Sequence, residues 1–173
     1  VPRANASEEL LKGKKTTLVL GDSITQAGSY AAYFDAWLVR KFPDRRITVI
    51  NAGVSSETIS GLSEENHAGG RFPRPDLHER LERVLAKAKP DLIISCYGIN
   101  CGIYQALDEA RFELYRKGTM HLREAAKQCG AEVVHLTPPI FDNHGKPGFD
   151  YDEVMTSYSK WRVEQGKQVW HVI

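Results

Sequence analysis

The sequence predicts an α/β fold: a doubly wound parallel sheet of about five strands with helices on both faces, three α/β/α layers in all. Two observations carry this reading. Short runs of aliphatic and β-branched residues recur along the chain, and runs of that kind without polar alternation are strands buried on both faces. Stretches with apolar residues at helical spacing separate them, so strand and helix alternate from end to end. Right-handed crossovers then restrict the topology to a flavodoxin-like strand order, 2-1-3-4-5.

The elements follow in order. Ser7, with Glu8, Glu9, Leu10 and Leu11 behind it and Gly13 closing, predicts a short capped helical turn. Residues 16–20 form the first strand and stop at Gly21, which leaves Ser23 in a strand-to-helix turn. The spacing of Tyr33, Phe34, Trp37 and Leu38 predicts a helix over 30–42, ended by Pro43. The second strand, 47–50, runs into Asn51-Ala52-Gly53. Residues 55–75, punctuated by Gly61, Gly69, Gly70, Pro73 and Pro75, are too long for an ordinary connection and read as a functional or mobile loop. Asp76 caps the next helix, whose core face is Leu77, Leu81, Val84 and Leu85 and which Pro90 ends. The third strand, 91–96, empties into Tyr97-Gly98-Ile99-Asn100-Cys101-Gly102. Asp108 caps a long helix to Gln128, closed by Gly130, and the fourth strand is 132–136. A loop with Asp142, Asn143, His144 and Gly145 leads to a helix over 152–166, and residues 169–173 start a fifth strand.

Composition excludes several classes of partner. With 23 Lys+Arg against 22 Asp+Glu the net charge is +1, which gives no handle on nucleic acid or an anionic membrane and favours a small neutral or mixed-charge ligand. Cys96, Cys101 and Cys129 are odd in number and lack metal-ligand spacing, so neither a disulfide framework nor a zinc site is indicated. Cys96, inside an apolar run, is expected to be a buried thiol. No apolar run has the length of a membrane span and no signal-peptide pattern stands at the start. A first residue Val1 is expected of a processed chain or the ordered part of a longer one, and processing would favour a secreted or periplasmic location.

Ser23, Gly53 and Asn100 follow the first, second and third strands. In this topology the carboxyl ends of those strands are neighbours and line the crevice where open α/β sheets bind ligands. Acyl transfer needs a hydroxyl nucleophile and donors aimed at the oxyanion of the tetrahedral intermediate. The Ser23 hydroxyl, the Ser23 and Gly53 backbone N–H groups and the Asn100 amide are of those types. Plainer roles exist for each: a helix cap for Ser23, a tight turn for Gly53, a bond to its own loop for Asn100.

Gly21-Asp22-Ser23-Ile24-Thr25, Asn51-Ala52-Gly53 and Gly98-Ile99-Asn100 resemble, in order and spacing, the first three motifs of the SGNH hydrolases, also called GDSL esterases and lipases. The resemblance covers nearly the whole chain. It implies the three-layer fold, Ser23 as nucleophile, an oxyanion hole made by Ser23, Gly53 and Asn100, an ester substrate, and no metal or organic cofactor. Two departures stand out. Cys101 replaces the Asp that usually follows the third-motif Asn, which predicts altered loop packing with the oxyanion donor kept. The late Asp-x-x-His motif that supplies the family's base has no match, because no Asp here is followed by His three residues later. The expectation is a single domain over 1–173 that is incomplete at its C-terminus, with acid and base beyond Ile173.

Other residues have weaker claims. His135 and His171 fall in strands and are expected to be satisfied core or near-core residues; His78 and His121, on helices, should face solvent. His144, two residues past Asp142, is more simply a turn residue than a substitute base. Asp22 beside the nucleophile, His67 three residues past Glu64, Arg71 and Arg74 in the long loop, and Tyr104 just past the third motif are the candidates for substrate contact. The expected function is a serine esterase acting on a small acyl group such as acetyl on a carbohydrate. The alternative is a non-catalytic carbohydrate- or ligand-binding module, since a serine without a base is a poor nucleophile. A nucleotide-binding protein is disfavoured because the first loop lacks a glycine-rich phosphate cradle.

Overall fold

The structure is a computed structural model and describes residues 4–143, 150–167 and 170–173. Five parallel strands, β1 (Thr16–Gly21), β2 (Thr48–Asn51), β3 (Leu92–Cys96), β4 (Glu132–His135) and β5 (His171–Val172), form one sheet in the order β2-β1-β3-β4-β5. This is the expected topology. Central β1 pairs with β2 and β3, placing Val19 level with Asn51 and Ile94, so three strand ends meet at one edge.

Alternation along the strands sorts the core into two layers. Leu18, Leu20, Ile93 and Val133 face α4 (Leu77–Ala88), α5 (Glu109–Gln128) and α6 (Tyr151–Gly166). Val19, Leu92, Ile94 and Val134 face α1 (Ala4–Leu11) and α3 (Ser29–Lys41). Leu18, Val19 and Leu20 are fully buried, each stabilising the fold by roughly 2 kcal/mol, which is why this run is unbroken by polar residues. The second layer covers the sheet less completely: an apolar groove of 340 Å³ lies between Trp37 and Phe34 on α3 and Ile94, Val134, Leu136 and Ile173.

The caps expected at Asp76 and Asp108 form, but Ser7 is not the start of its helix as expected, because α1 begins at Ala4 and Ser7 lies inside it. Asp76 and Asp108 carboxylates accept the His78 and Arg111 N–H groups at 3.0 and 2.8 Å. One element was not expected. Residues Ser23–Ala27 make a short helix, α2, because Asp22 accepts the Ile24 N–H at 2.9 Å and Gly28, at φ 85°, closes it. The loop 55–75 is pinched at its base, where Thr58 donates to Pro75 O (2.9 Å) and Leu77 donates to Thr58 O (3.0 Å), making a compact Ω-type loop.

Three histidine expectations are corrected. His78 does not face solvent: its Nε2 lies 3.1 Å from Ile59 O and its ring stacks on exposed His121 at 4.4 Å, because loop 55–75 folds against α4. His135 is buried but not satisfied, since neither ring nitrogen has a partner among the described residues. His171 is exposed at the sheet edge, 3.5 Å from Glu132. Cys96 is only half-buried and not the buried thiol expected, whereas Cys101 is fully enclosed in the core.

Candidate active site

Ser23 is the first residue of α2, exposed at the carboxyl end of β1. Its hydroxyl has no hydrogen-bond partner among the described residues. Asp22 is not on the pocket wall as expected of a substrate-contacting residue. It is 1% exposed, and its carboxylate caps α2 from below. Burial pushes the Asp22 carboxyl up to about 6, the charge of Glu57 adds to that, and the Ile24 N–H opposes it.

The second motif ties α2 to the sheet. Asn51 donates from Nδ2 to Thr25 O at 2.7 Å and accepts the Gly53 N–H at 3.0 Å. Only glycine fits at 53, because a Cβ there would sit 2.3 Å from Gln26 N. The Gly53 N–H is therefore already engaged, and it reaches an oxyanion only as a shared donor. In the third motif Asn100 is 5% exposed. Its Nδ2 donates to Glu57 O over a long 3.4 Å, and its Oδ1 accepts from the Tyr104 hydroxyl at 3.2 Å. Gly98 is required in that loop, since the Pro138 ring would lie 2.3 Å from a Cβ.

Beneath these loops lies a residue that no sequence signal singles out. Glu57 is fully buried and accepts from Arg80 Nε and Nη2 at 2.5 and 2.6 Å and from the Tyr97 hydroxyl at 2.5 Å. Arg80 also donates to Ala52 O at 2.8 Å. One buried carboxylate thus joins the loops after β2 and β3 to α4. Burial, and then the Glu57 charge, hold the Tyr97 hydroxyl well above its usual range, so it serves as a donor. In sequence, Glu57 stands among Ser55, Ser56 and Thr58 and looks solvated.

The remaining candidates divide. Arg71 is exposed and donates to Ala68 O of its own turn at 2.9 Å, so it does not reach inward. Arg74 does: it is held bidentate by Glu64 at 2.6 and 2.7 Å, and its guanidinium lies 5.4 Å over the Tyr104 ring. His67 Nδ1 lies 3.5 Å from the same Glu64, and its ring packs edge-on against Phe72. Tyr104 stacks on Tyr151 at 4.9 Å and meets Phe141 edge-on at 5.9 Å. Among the described residues no histidine is hydrogen-bonded to Ser23, and no group of His, Cys, Asp and Glu has metal-binding geometry. His144 lies outside the described residues.

The geometry can be set beside known proteins. The profile of the GDSL-like lipase/acylhydrolase family matches residues 19–171. Axe2, an acetyl xylan esterase from Geobacillus stearothermophilus, superposes with a TM-score of 0.65 at 22% identity, covering 90% of this chain and 75% of that one. TesA does so with a TM-score of 0.61 at 25% identity over 90% and 77%. A gut microbial diltiazem-metabolizing enzyme gives 0.70 at 17% identity over 92% and 36%. Among curated proteins nothing matches the sequence. Among the described residues no helix is long and apolar enough to cross a membrane. The profile begins within β1, just ahead of Ser23, and runs to the start of β5, so all three motif loops lie inside it: the chain belongs to the GDSL-like lipase/acylhydrolase family and is a carboxylic ester hydrolase.

Proposed function

We propose that the chain is a serine esterase that removes a small acyl group, acetyl above all, from a carbohydrate. The observation that carries the reading is the Ser23 hydroxyl: exposed, without a partner among the described residues, and on the same strand-end edge as Asn100. In this mechanism Ser23 Oγ attacks the ester carbonyl carbon. The oxyanion that forms is met by the Ser23 N–H, the second N–H of Asn100 Nδ2 and a shared Gly53 N–H. Collapse expels the alcohol and leaves an acyl-serine, which water hydrolyses. The proton of Ser23 goes to a base that the described histidines do not supply by contact. The acetyl and carbohydrate part rests on likeness in fold to Axe2, which acts on acetyl xylan.

The test is hydrolysis of p-nitrophenyl acetate and of acetylated xylo-oligosaccharides. Ser23→Ala should abolish turnover, and Asn100→Ala should lower kcat by about 10²–10³ without loss of fold. Equal rates in wild type and both variants would end the reading.

A further inference from the structure

We propose that Tyr104 is the positioning residue for the Asn100 amide, and that the Arg74–Glu64 pair holds Tyr104 in place. The inference rests on the esterase reading and adds to it a device that keeps the oxyanion donor the right way round.

The need for such a device is chemical. An asparagine amide presents two donors at one end and an acceptor at the other, and only the nitrogen end stabilises a developing oxyanion. If the amide turned over, an oxygen lone pair would face the negative charge. One N–H of Asn100 Nδ2 points to Glu57 O, which can only accept, but at 3.4 Å that bond is a weak anchor. The second anchor is on the other side. The Tyr104 hydroxyl donates to Oδ1 at 3.2 Å, and together the two leave one Nδ2 N–H for substrate. Burial raises the Tyr104 hydroxyl above its usual range, so it stays protonated and remains a donor.

Tyr104 is held there against local preference. Ile103 and Tyr104 have φ of 49° and 54°, the left-handed region that non-glycine residues rarely adopt. The turn is fixed by Ile103 N–H to Asn100 O at 3.0 Å, and the Tyr104 ring is gripped on two sides. Tyr151 stacks on it at 4.9 Å and is itself anchored through its hydroxyl to Ile99 O at 2.9 Å. Arg74 lies over the ring at 5.4 Å. Arg74 has little freedom of its own, because Glu64 holds it by two bonds and Ser63 Oγ accepts its backbone N–H at 2.9 Å. Contacts therefore run unbroken from the Ω-type loop, through Glu64, Arg74 and Tyr104, to Asn100.

The test separates positioning from packing. Tyr104→Phe keeps the ring and removes only the hydroxyl. It should lower kcat for p-nitrophenyl acetate about 10-fold with KM within about two-fold and the melting temperature unchanged. In the Asn100→Ala background the same substitution should change kcat by less than about two-fold, because there is no amide left to position. Arg74→Met should give a smaller loss that also vanishes in that background. An unchanged kcat in Tyr104→Phe, or an equal loss in both backgrounds, overturns the proposal while Ser23→Ala still reports on the esterase reading. If wild type does not turn over, the side-chain amide resonances of Asn100 decide: they shift and broaden in Tyr104→Phe if the hydroxyl holds the amide, and stay in place if it does not.

Discussion

Glu57 and Arg162 are both fully buried charges, yet they are partnered in opposite ways. Glu57, under the candidate site, has a bidentate arginine and a tyrosine hydroxyl on its two oxygens. Arg162, between α6 and β4, donates from Nη1 to Leu136 O at 2.8 Å and lies 5.1 Å over the Tyr115 ring. Its Nε and Nη2 have no hydrogen-bond partner among the described residues. His135, on the same face of the sheet, is held neutral by burial and then by the charges of Arg162 and Arg123. The difference separates two tasks. Where two loops and a helix must be held to bonding distance of one another, the charge is fully compensated and directional. Where a helix only has to pack on a sheet, one carbonyl and one ring suffice.

The comparison is broken most directly at Arg80. Arg80→Ala leaves Glu57 buried and without its counter-charge, and should destabilise the fold by about 3–5 kcal/mol in urea titration. Because Arg80 also holds Ala52 O, the second-motif loop loosens with it. A cost below about 1 kcal/mol would show that Glu57 is not the foundation of the site.

Asp22 is an intermediate case: a buried carboxylate with a backbone donor but no arginine bonded to it. Its pKa of about 6 in the fold, against 3.8 ordinarily, means that the native state holds the proton more tightly than the unfolded chain. Stability contributed by the protonated form is complete below pH 4, falls as pH rises from about 4 to 6, and is gone above that, an amount of about 3 kcal/mol. Glu64 and Asp91, whose pKa values are lowered, give the opposite slope at acid pH, so the measurement is the difference between wild type and Asp22→Asn. Asparagine keeps the cap and removes the titration. The variant should match wild type near pH 4 and exceed it at pH 7, and a pH-independent difference would refute the assignment.

These contrasts also explain what was legible in the sequence. The caps at Asp76 and Asp108 were legible because an Asx cap bonds two or three residues ahead, inside the window where spacing carries information. The strand order and the three motif loops were legible because each apolar run announces its own end. The Glu57–Arg80 pair, 23 residues apart, was not, since nothing local distinguishes a carboxylate that will be buried from one that will be solvated. The same limit let Arg71 and Arg74 look alike, although Glu64 bonds the second and only a turn carbonyl takes up the first. Helix α2 was missed because five residues are too few for periodicity to speak.

The smallest expected effect lies at Arg162. Replacing a lone buried guanidinium by an apolar side chain of similar length removes a desolvation cost of several kcal/mol, and Arg162→Met does so with little change in volume. Against that gain, Leu136 O loses its donor, which costs about 1–3 kcal/mol for a buried carbonyl, and the contact with the Tyr115 ring is exchanged for a thioether contact of similar worth. The two nearly cancel, so the variant should lie between unchanged and about 2 kcal/mol more stable, with p-nitrophenyl acetate turnover unaffected because no motif loop depends on Arg162. A loss of more than about 2 kcal/mol would mean that Arg162 is compensated as fully as Glu57, and the contrast between the two buried charges would fail.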